Sequence, residues 1–326
     1  MIIIFSAKND ITTNEICNWL KYYKHDFKVV FAEDFLQRKE NEYLSIDCIE
    51  KYLESIFNCH LSKIKTFWCR KWGAKTLLNQ TKNDKITEEL SEKLKTTSLK
   101  EINTFFEFIF NILPKEKIIN NFFNSNNSKF NQLIVAKSCN LEIPETYVVN
   151  SKKQLKNILK PNDSYITKAM HEGIGFNFNE DSYTTFTEII DFKKISSDFF
   201  LPSLIQKEIK KKYEIRSFVL GEKIYSMAIF SQDNNQTTVD YRQYDLKRPN
   251  KRASYKLPTE IKQKVLSFMN KMNLKTGSID FIVDKDDNYF FLEVNPYGQF
   301  GMVSKPNNYN LENEFAKYLI EHGRNK

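Results

Sequence analysis

Gly277-Ser-Ile-Asp-Phe-Ile-Val283 and Phe291-Leu-Glu-Val-Asn-Pro-Tyr-Gly-Gln-Phe300 decide how this chain is read. They are two apolar strands joined by the polar turn Asp284-Lys-Asp-Asp-Asn288. Side chains alternate along a strand, so Glu293 and Asn295 point to one face. A four-residue loop at 285–288, a common hairpin length, predicts residue 284 opposite 289 and therefore Asp280 opposite Glu293. Three hard oxygen ligands, Asp280, Glu293 and Asn295, then share one side of a greasy hairpin. Mg²⁺ takes such ligands and completes its octahedron with waters and phosphates. The competing reading is a half-solvated hairpin with ordinary outward polarity.

The chain has 326 residues, enough for about two or three domains. A chain of this size buries roughly three quarters of its unfolded surface. Its net charge of +8 suits polyanionic partners. The charge is scattered, however, and lacks the aromatic–basic stripe of a nucleic-acid binder. Lys210-Lys211-Lys212 reads as a solvated turn. Five cysteines with no Cys-x-x-Cys pair fit free thiols in a reducing cytoplasm. Met1-Ile-Ile-Ile-Phe5 reads as a first strand, without the basic lead and cleavage site of a signal peptide. No stretch approaches the ~20 apolar residues of a membrane span.

The order of elements predicts an α/β protein, α+β in its C-terminal part. Residues 1–115 alternate strands and helices, which implies a parallel sheet. Lys65-Thr-Phe-Trp-Cys-Arg-Lys-Trp-Gly73 reads as a core strand with a basic turn, or as a substrate-facing segment. Residues 116–203 form a second unit. It has a helix over 127–140 capped by Asn127 or Ser128, strands at Tyr147–Val149 and Tyr165–Lys168, and a glycine turn at Gly173-Ile-Gly175. From 204 the chain is strand-rich: Leu204–Ile209, the hairpin Ile215–Leu220 with Ile224–Phe230, a long polar loop over 231–258, a helix near 260–273 and a last helix over 311–321.

An acid on one strand followed by Glu-x-Asn-Pro ending the next resembles the metal signature of the ATP-grasp enzymes. That resemblance, strongest from Lys129 to Phe300, implies an ATP-grasp fold behind an N-terminal pre-ATP-grasp domain. It implies ATP held by Lys129 and Lys168, with the glycine turn folding backbone N–H groups over the phosphates. The strand Gln206-Lys207-Glu208-Ile209 would read the adenine edge through the backbone of Lys207 and Ile209. Glu214 would accept from a ribose hydroxyl; its alternative is a surface partner of the lysine run. One or two Mg²⁺ ions would sit on Asp280, Glu293 and Asn295. Arg216 and Arg242, suited to carboxylate and phosphate recognition, would serve the substrate carboxylate. His171 is a conceivable base or an idle loop histidine.

Glu214-Ile-Arg216, Asp240-Tyr-Arg242-x-Tyr244, Arg248-Pro-Asn250 and Glu293-Val-Asn-Pro-x-Gly-Gln-Phe-Gly-Met-Val-Ser304 narrow the resemblance to peptide-maturing ligases of the grasp-with-spasm type. These are related to the microviridin (graspetide) ligases. Asn307 departs from the cysteine expected in that branch. The resemblance implies activation of a carboxylate on a ribosomal precursor peptide with an acidic core, then a macrocyclic ester or amide. It allows a SPASM-domain partner and a homodimer, with no nucleic acid and no membrane. Two other readings remain open here: a ligase of amino acids or small molecules of the glutathione-synthetase type, and a nucleotide-binding regulator without chemistry.

Overall fold

The protein is described here by a computed structural model covering residues 1–36, 43–72, 88–123, 128–170, 173, 175–178, 181–232, 240 and 247–324; of 88–92 and 176–184 only the backbone enters. The first sheet is β1 (Ile2–Phe5), β2 (Phe27–Val30), β3 (Thr66–Cys69) and β4 (Ile118–Ile119), all parallel, in the order β2-β1-β3-β4. Helices α1 (Ile11–Tyr22), α2 (Ala32–Leu36), α3 (Ile49–Phe57) and α4 (Glu88–Ile112) are interleaved with these strands. Every residue of β1 and β3 is buried, as for strands covered on both faces.

The second sheet contains β5 (Thr146–Ser151), β6 (Tyr165–Lys168), β9 (Glu188–Ile189) and β10 (Phe199–Lys207), in the order β5-β10-β6-β9. A separate hairpin, β7 (Gly175–Phe178) with β8 (Asp181–Thr184), follows β6. Helices α5 (Lys129–Ser138) and α6 (Lys152–Ile158) belong to this stretch. Ser128 caps α5 by accepting from the Asn131 amide; Asn127 lies outside the described residues. The boundary expected at 203–204 falls inside β10, whose ladder runs from Phe199 to Lys207 within this one sheet.

The third sheet is antiparallel, in the order β13-β12-β11-β14-β15, built from β11 (Lys211–Leu220), β12 (Lys223–Phe230), β13 (Lys251–Tyr255), β14 (Thr276–Asp284) and β15 (Tyr289–Asn295). Helices α7 (Thr259–Lys271), α8 (Gly301–Ser304) and α9 (Leu311–Arg324) complete the fold. Two expectations change here. The stretch read as loop includes β13, an edge strand on β12, because its backbone groups find partners there. The lysine run is no solvated turn either: Lys211 and Lys212 open β11, and Lys211 is buried.

Alternation along β11 and β14 gives the third sheet two faces. Ile215, Val219, Ile279, Phe281 and Val283 pack with Val265, Phe268 and Met269 of α7. On the other face Phe218 and Leu220 join Ile2, Ile4 and Trp68 of the first sheet, and Phe315 and Leu319 of α9, in one core. Phe315 lies 4.6 Å from Trp68 between ring centroids and stacks on Phe300 at 5.7 Å. The C-terminal helix is therefore part of the N-terminal sheet's core. Phe315→Ala is expected to cost about 3–5 kcal/mol. Urea unfolding should lose the first and third sheets in a single transition at lower denaturant.

Candidate active site

The hairpin β14–β15 turns earlier than its sequence suggests. The Asp284 amide bonds to Asn288 O at 3.1 Å, and Asp287 takes a left-handed φ of 61°. The Asp284 carboxylate accepts from the amides of Asp286 and Asn288 at 2.9 and 2.8 Å. That three-residue loop pairs Val283 with Tyr289 and Phe281 with Phe291. Continued unbroken, this register sets Asp280 opposite Leu292 and turns Glu293 to the other face. A bulge between Phe281 and Asp280 absorbs the extra residue, so Asp280 does pair with Glu293, and Ser278 with Asn295. A bulge sets two residues of one strand against one of its partner. Leu292 and Glu293 accordingly both line the cleft. Gln132 of α5 accepts the Val294 amide at 2.9 Å, and Glu142 O accepts that of Phe291 at 2.8 Å. These bonds hold the otherwise open edge of β15.

Arg216 pairs with Asp280 across β11–β14. Its Nη1 donates to both carboxylate oxygens, at 3.2 and 3.1 Å. Glu293 faces Lys129 Nζ at 3.4 Å, and that ammonium also donates to Ala169 O at 3.1 Å, past the end of β6. Each acid thus has its own cation, and Lys129 ties the acid-bearing wall to the opposite one.

That opposite wall is the second sheet. Ile166 and Lys168 of β6 and Gln206 and Lys207 of β10 line the cleft, together with Gly173, Thr185, Thr187 and Ile209. The Gln206 amide group donates to Thr146 Oγ1 at 2.9 Å. Lys207 uses its amide on Glu145 O and its ammonium on Asp163, both at 2.9 Å. A nucleotide edge would therefore meet backbone atoms of this segment other than the Lys207 amide. Glu208 donates its amide to Ser164 O and is not among the cleft-lining residues.

Glu214 lines the cleft and is buried. It is the partner of the lysine run, but inside the protein rather than on its surface. Lys211 Nζ sits 2.7 Å from Oε1, and Ser231 Oγ donates to Oε2 at 2.7 Å. Burial pushes the Glu214 carboxyl above the usual carboxylate range, against the pull of Lys211 and Ser231. Asp240, quoted above only as part of a motif, is a further buried acid of the cleft; it accepts from the Thr187 amide at 3.3 Å across to the second sheet. Thr185 and Thr187 carried no recognisable signal, because a threonine in a polar stretch looks like any other.

Asn295 borders the cleft without being one of its lining residues. It is exposed, and its Oδ1 accepts from the Tyr297 amide at 3.0 Å. Arg242 and His171 lie outside the described residues. Arg70 is a structural group, as the core-strand reading of Lys65–Gly73 has it. It is buried, pairs with Asp10 at 3.4 Å and donates to Tyr297 O. Asn307 donates from Nδ2 to Val303 O at 2.8 Å, inside the C-terminal segment. The five cysteines are free thiols. No helix among the described residues is long and apolar enough to cross a membrane.

The cleft thus lies between two antiparallel sheets, with lysines and an acid pair along its walls. The RimK-like ATP-grasp domain family covers residues 126–319, more than half of the chain. The chain belongs to that family. No curated protein matches it in sequence. Among solved structures it is similar to a RiPP-associated ATP-grasp ligase of Chryseobacterium gregarium in complex with ADP and a leader and core peptide. The identity is 21% and the TM-score 0.74, over 98% of this chain and 95% of that one. It is similar to the macrocyclase MdnC of Microcystis aeruginosa MRC bound with precursor peptide MdnA, at 20% identity and a TM-score of 0.74, over 98% and 99%. It is also similar to the ATP-grasp ligase PsnB complexed with minimal precursor, Mg and ADP, at 14% identity and 0.74, over 99% and 97%. At such identities the likeness establishes the ATP-grasp fold along nearly the whole chain.

The residues present fit the divalent ion that this fold implies. Asp280 and Glu293 are opposed on one face with side chains 18% and 26% exposed. They are reachable, and Asn295 follows on the same strand face. Two carboxylates and a neutral amide oxygen leave octahedral positions for waters and phosphates. Among the described residues no group of three or more His, Cys, Asp or Glu forms a competing metal site.

The Lys211–Glu214 pair yields a pH test. A carboxyl whose folded pKa is raised contributes stability that is present below its unfolded pKa and lost as pH rises through the folded value. Lys211→Met removes the partner and raises that value further. The variant should lose about 3–5 kcal/mol relative to wild type near pH 8. The deficit should shrink towards pH 5, as followed by urea unfolding across that range.

Proposed function

We propose that this chain is an ATP-dependent ligase that activates a side-chain carboxylate of a ribosomally made precursor peptide and joins it to a Ser/Thr hydroxyl or Lys amine of the same peptide. The observation that carries this reading is the cleft itself: an opposed acid pair, each acid held by its own cation, facing a lysine-bearing sheet. ATP and Mg²⁺ supply the phosphoryl group and the charge neutralisation for its transfer. The chain's own residues do the rest. Lys129 and Lys168 hold phosphates, segment 206–209 borders the base and Glu214 borders the ribose. Asp280, Glu293 and Asn295 hold the ion. Arg216 keeps the Asp280 carboxylate aimed into the cleft, and Arg242 receives the substrate carboxylate.

In the proposed sequence a peptide carboxylate oxygen attacks the terminal phosphorus of ATP, and ADP leaves. The hydroxyl or amine then attacks the acyl carbon, phosphate leaves, and the nucleophile gives up one proton. The near-complete coverage of ligases whose structures contain precursor peptides supports a peptide substrate. A net charge of +8 favours an acidic core. In this division of labour the units 1–115, 116–203 and 204–326 serve as frame, phosphate wall and metal wall, with β10 assigned whole to the second. A SPASM-domain partner and a homodimer follow from the grasp-with-spasm resemblance and are testable by size-exclusion chromatography of the co-expressed pair.

Co-expression with a short peptide encoded beside its gene should give a product lighter by one water mass per bond formed. An unmodified peptide, with ATP consumed on free amino acids instead, overturns the peptide reading in favour of a small-molecule ligase. Glu293→Gln should fold normally and lose turnover by at least the roughly 10²–10³-fold typical of a removed charge stabiliser. Undiminished turnover would sink the metal assignment.

A further inference from the structure

The end of β15 is held from outside the cleft. Asn120, the residue after β4, is buried and adopts a left-handed φ of 56°. Its Nδ2 donates to Thr276 O and Thr276 Oγ1 at 2.8 Å each and to Pro296 O at 2.9 Å. Its Oδ1 accepts from the amides of Lys275 and Thr276 at 3.0 and 3.3 Å. One side chain thus ties the first sheet to the start of β14 and to the turn after β15. Arg70, after β3, donates to the next carbonyl, Tyr297 O. The Tyr297 hydroxyl donates to Asn121 O at 2.8 Å, and its ring lies 5.1 Å from Phe122 within the N-terminal core. The peptide unit between Pro296 and Tyr297 matters because its N–H is the group that holds Asn295 Oδ1. Gly298 completes the mould. A Cβ there would stand 2.9 Å from Ser278 Oγ and 3.3 Å from Asn295 Cγ, so a side chain would push on the Asn295 carboxamide.

We propose that Asn120 and Arg70 are positioning residues: through the backbone of Pro296 and Tyr297 they fix the Asn295 carboxamide in the orientation in which it completes the oxygen set of Asp280 and Glu293. The N-terminal sheet then sets metal affinity without touching the nucleotide. This inference rests on the metal reading of Asn295 given above.

The test is calorimetric titration of the full chain with ADP, once in EDTA and once across a Mg²⁺ series, with melting curves to confirm folding. Asn120→Asp keeps the size and the tolerance of positive φ but loses the Nδ2 donor that serves Pro296 O along with Thr276 O and Oγ1. Arg70→Lys keeps the charge beside Asp10 but loses the fork that reaches Tyr297 O. Each is expected to shift the Mg²⁺ dependence of ADP binding about fivefold to higher Mg²⁺, the worth of one net hydrogen bond, with metal-free ADP affinity unchanged. Tyr297→Phe, the mildest change, should move it in the same direction by about twofold. The proposal is overturned if a folded variant leaves the Mg²⁺ dependence where it was, or if metal-free and Mg²⁺-dependent affinities fall together. Asn295→Ala separates the two levels. If that variant also keeps the wild-type Mg²⁺ dependence, the metal reading has failed; if it shifts while the three positioning variants do not, the positioning proposal alone has failed.

Discussion

One extra residue in β15 governs the polar wall of the cleft. The short turn after Asp284 imposes a register that, left alone, sends Glu293 towards α7 and the core. The bulge at Leu292 moves every residue beyond it by one, and a shift of one is a change of face. Behind the bulge Glu293 stands beside Asp280, Arg216 reaches Asp280 from the neighbouring strand, and Lys129 reaches Glu293 from the helix above. In front of it, Phe281 and Phe291 stay paired and buried against α7. A single backbone irregularity thus lets one strand supply a core residue and a charged ligand at positions two apart.

Electrostatics explains why the acid pair needs its cations. Two carboxylates facing one another across paired strands in a partly desolvated cleft repel. Arg216 and Lys129 offset that charge in the protein alone. The two cations differ in kind. Arg216 sits within the sheet and grips both oxygens of Asp280. Lys129 stands at the first turn of α5, where its flexible stem can pass from Glu293 to a phosphate. Glu214 follows another logic: it is buried with Lys211 and Ser231, and burial raises its pKa while both partners pull the other way.

Much of this was legible in the sequence. Alternation of apolar residues located the β14–β15 hairpin, and the pairing of Asp280 with Glu293 came out right, though for a reason that does not hold. A four-residue loop and a three-residue loop plus a bulge give the same pairing at that position. Composition cannot distinguish them, because the bulge depends on what covers the edge of β15. Lys129, Lys168, Gln206, Lys207, Ile209 and Glu214 were named from order and resemblance, and the fold gathers all of them around one cleft. Lys211 was misread because three consecutive lysines look solvated until a buried glutamate appears beside one of them. The strand at Lys251–Tyr255 was missed because its residues are mostly exposed and its pattern is polar; it is a strand only through its pairing with β12.

Local periodicity and motif order located most of the elements and the parallel N-terminal sheet, and the family resemblance named part of the cleft. They work because periodicity and spacing are properties of neighbouring residues. Tertiary structure alone decided the rest: the bulge, the partner of each charge, the place of Arg70 as a clamp rather than a substrate ligand, and the union of α9 with the first sheet. Each of these joins residues far apart in the chain, and such contacts leave no periodic trace in a sequence. The Asn120 bonds to Thr276 and Pro296, spanning about half the chain, are the plainest case.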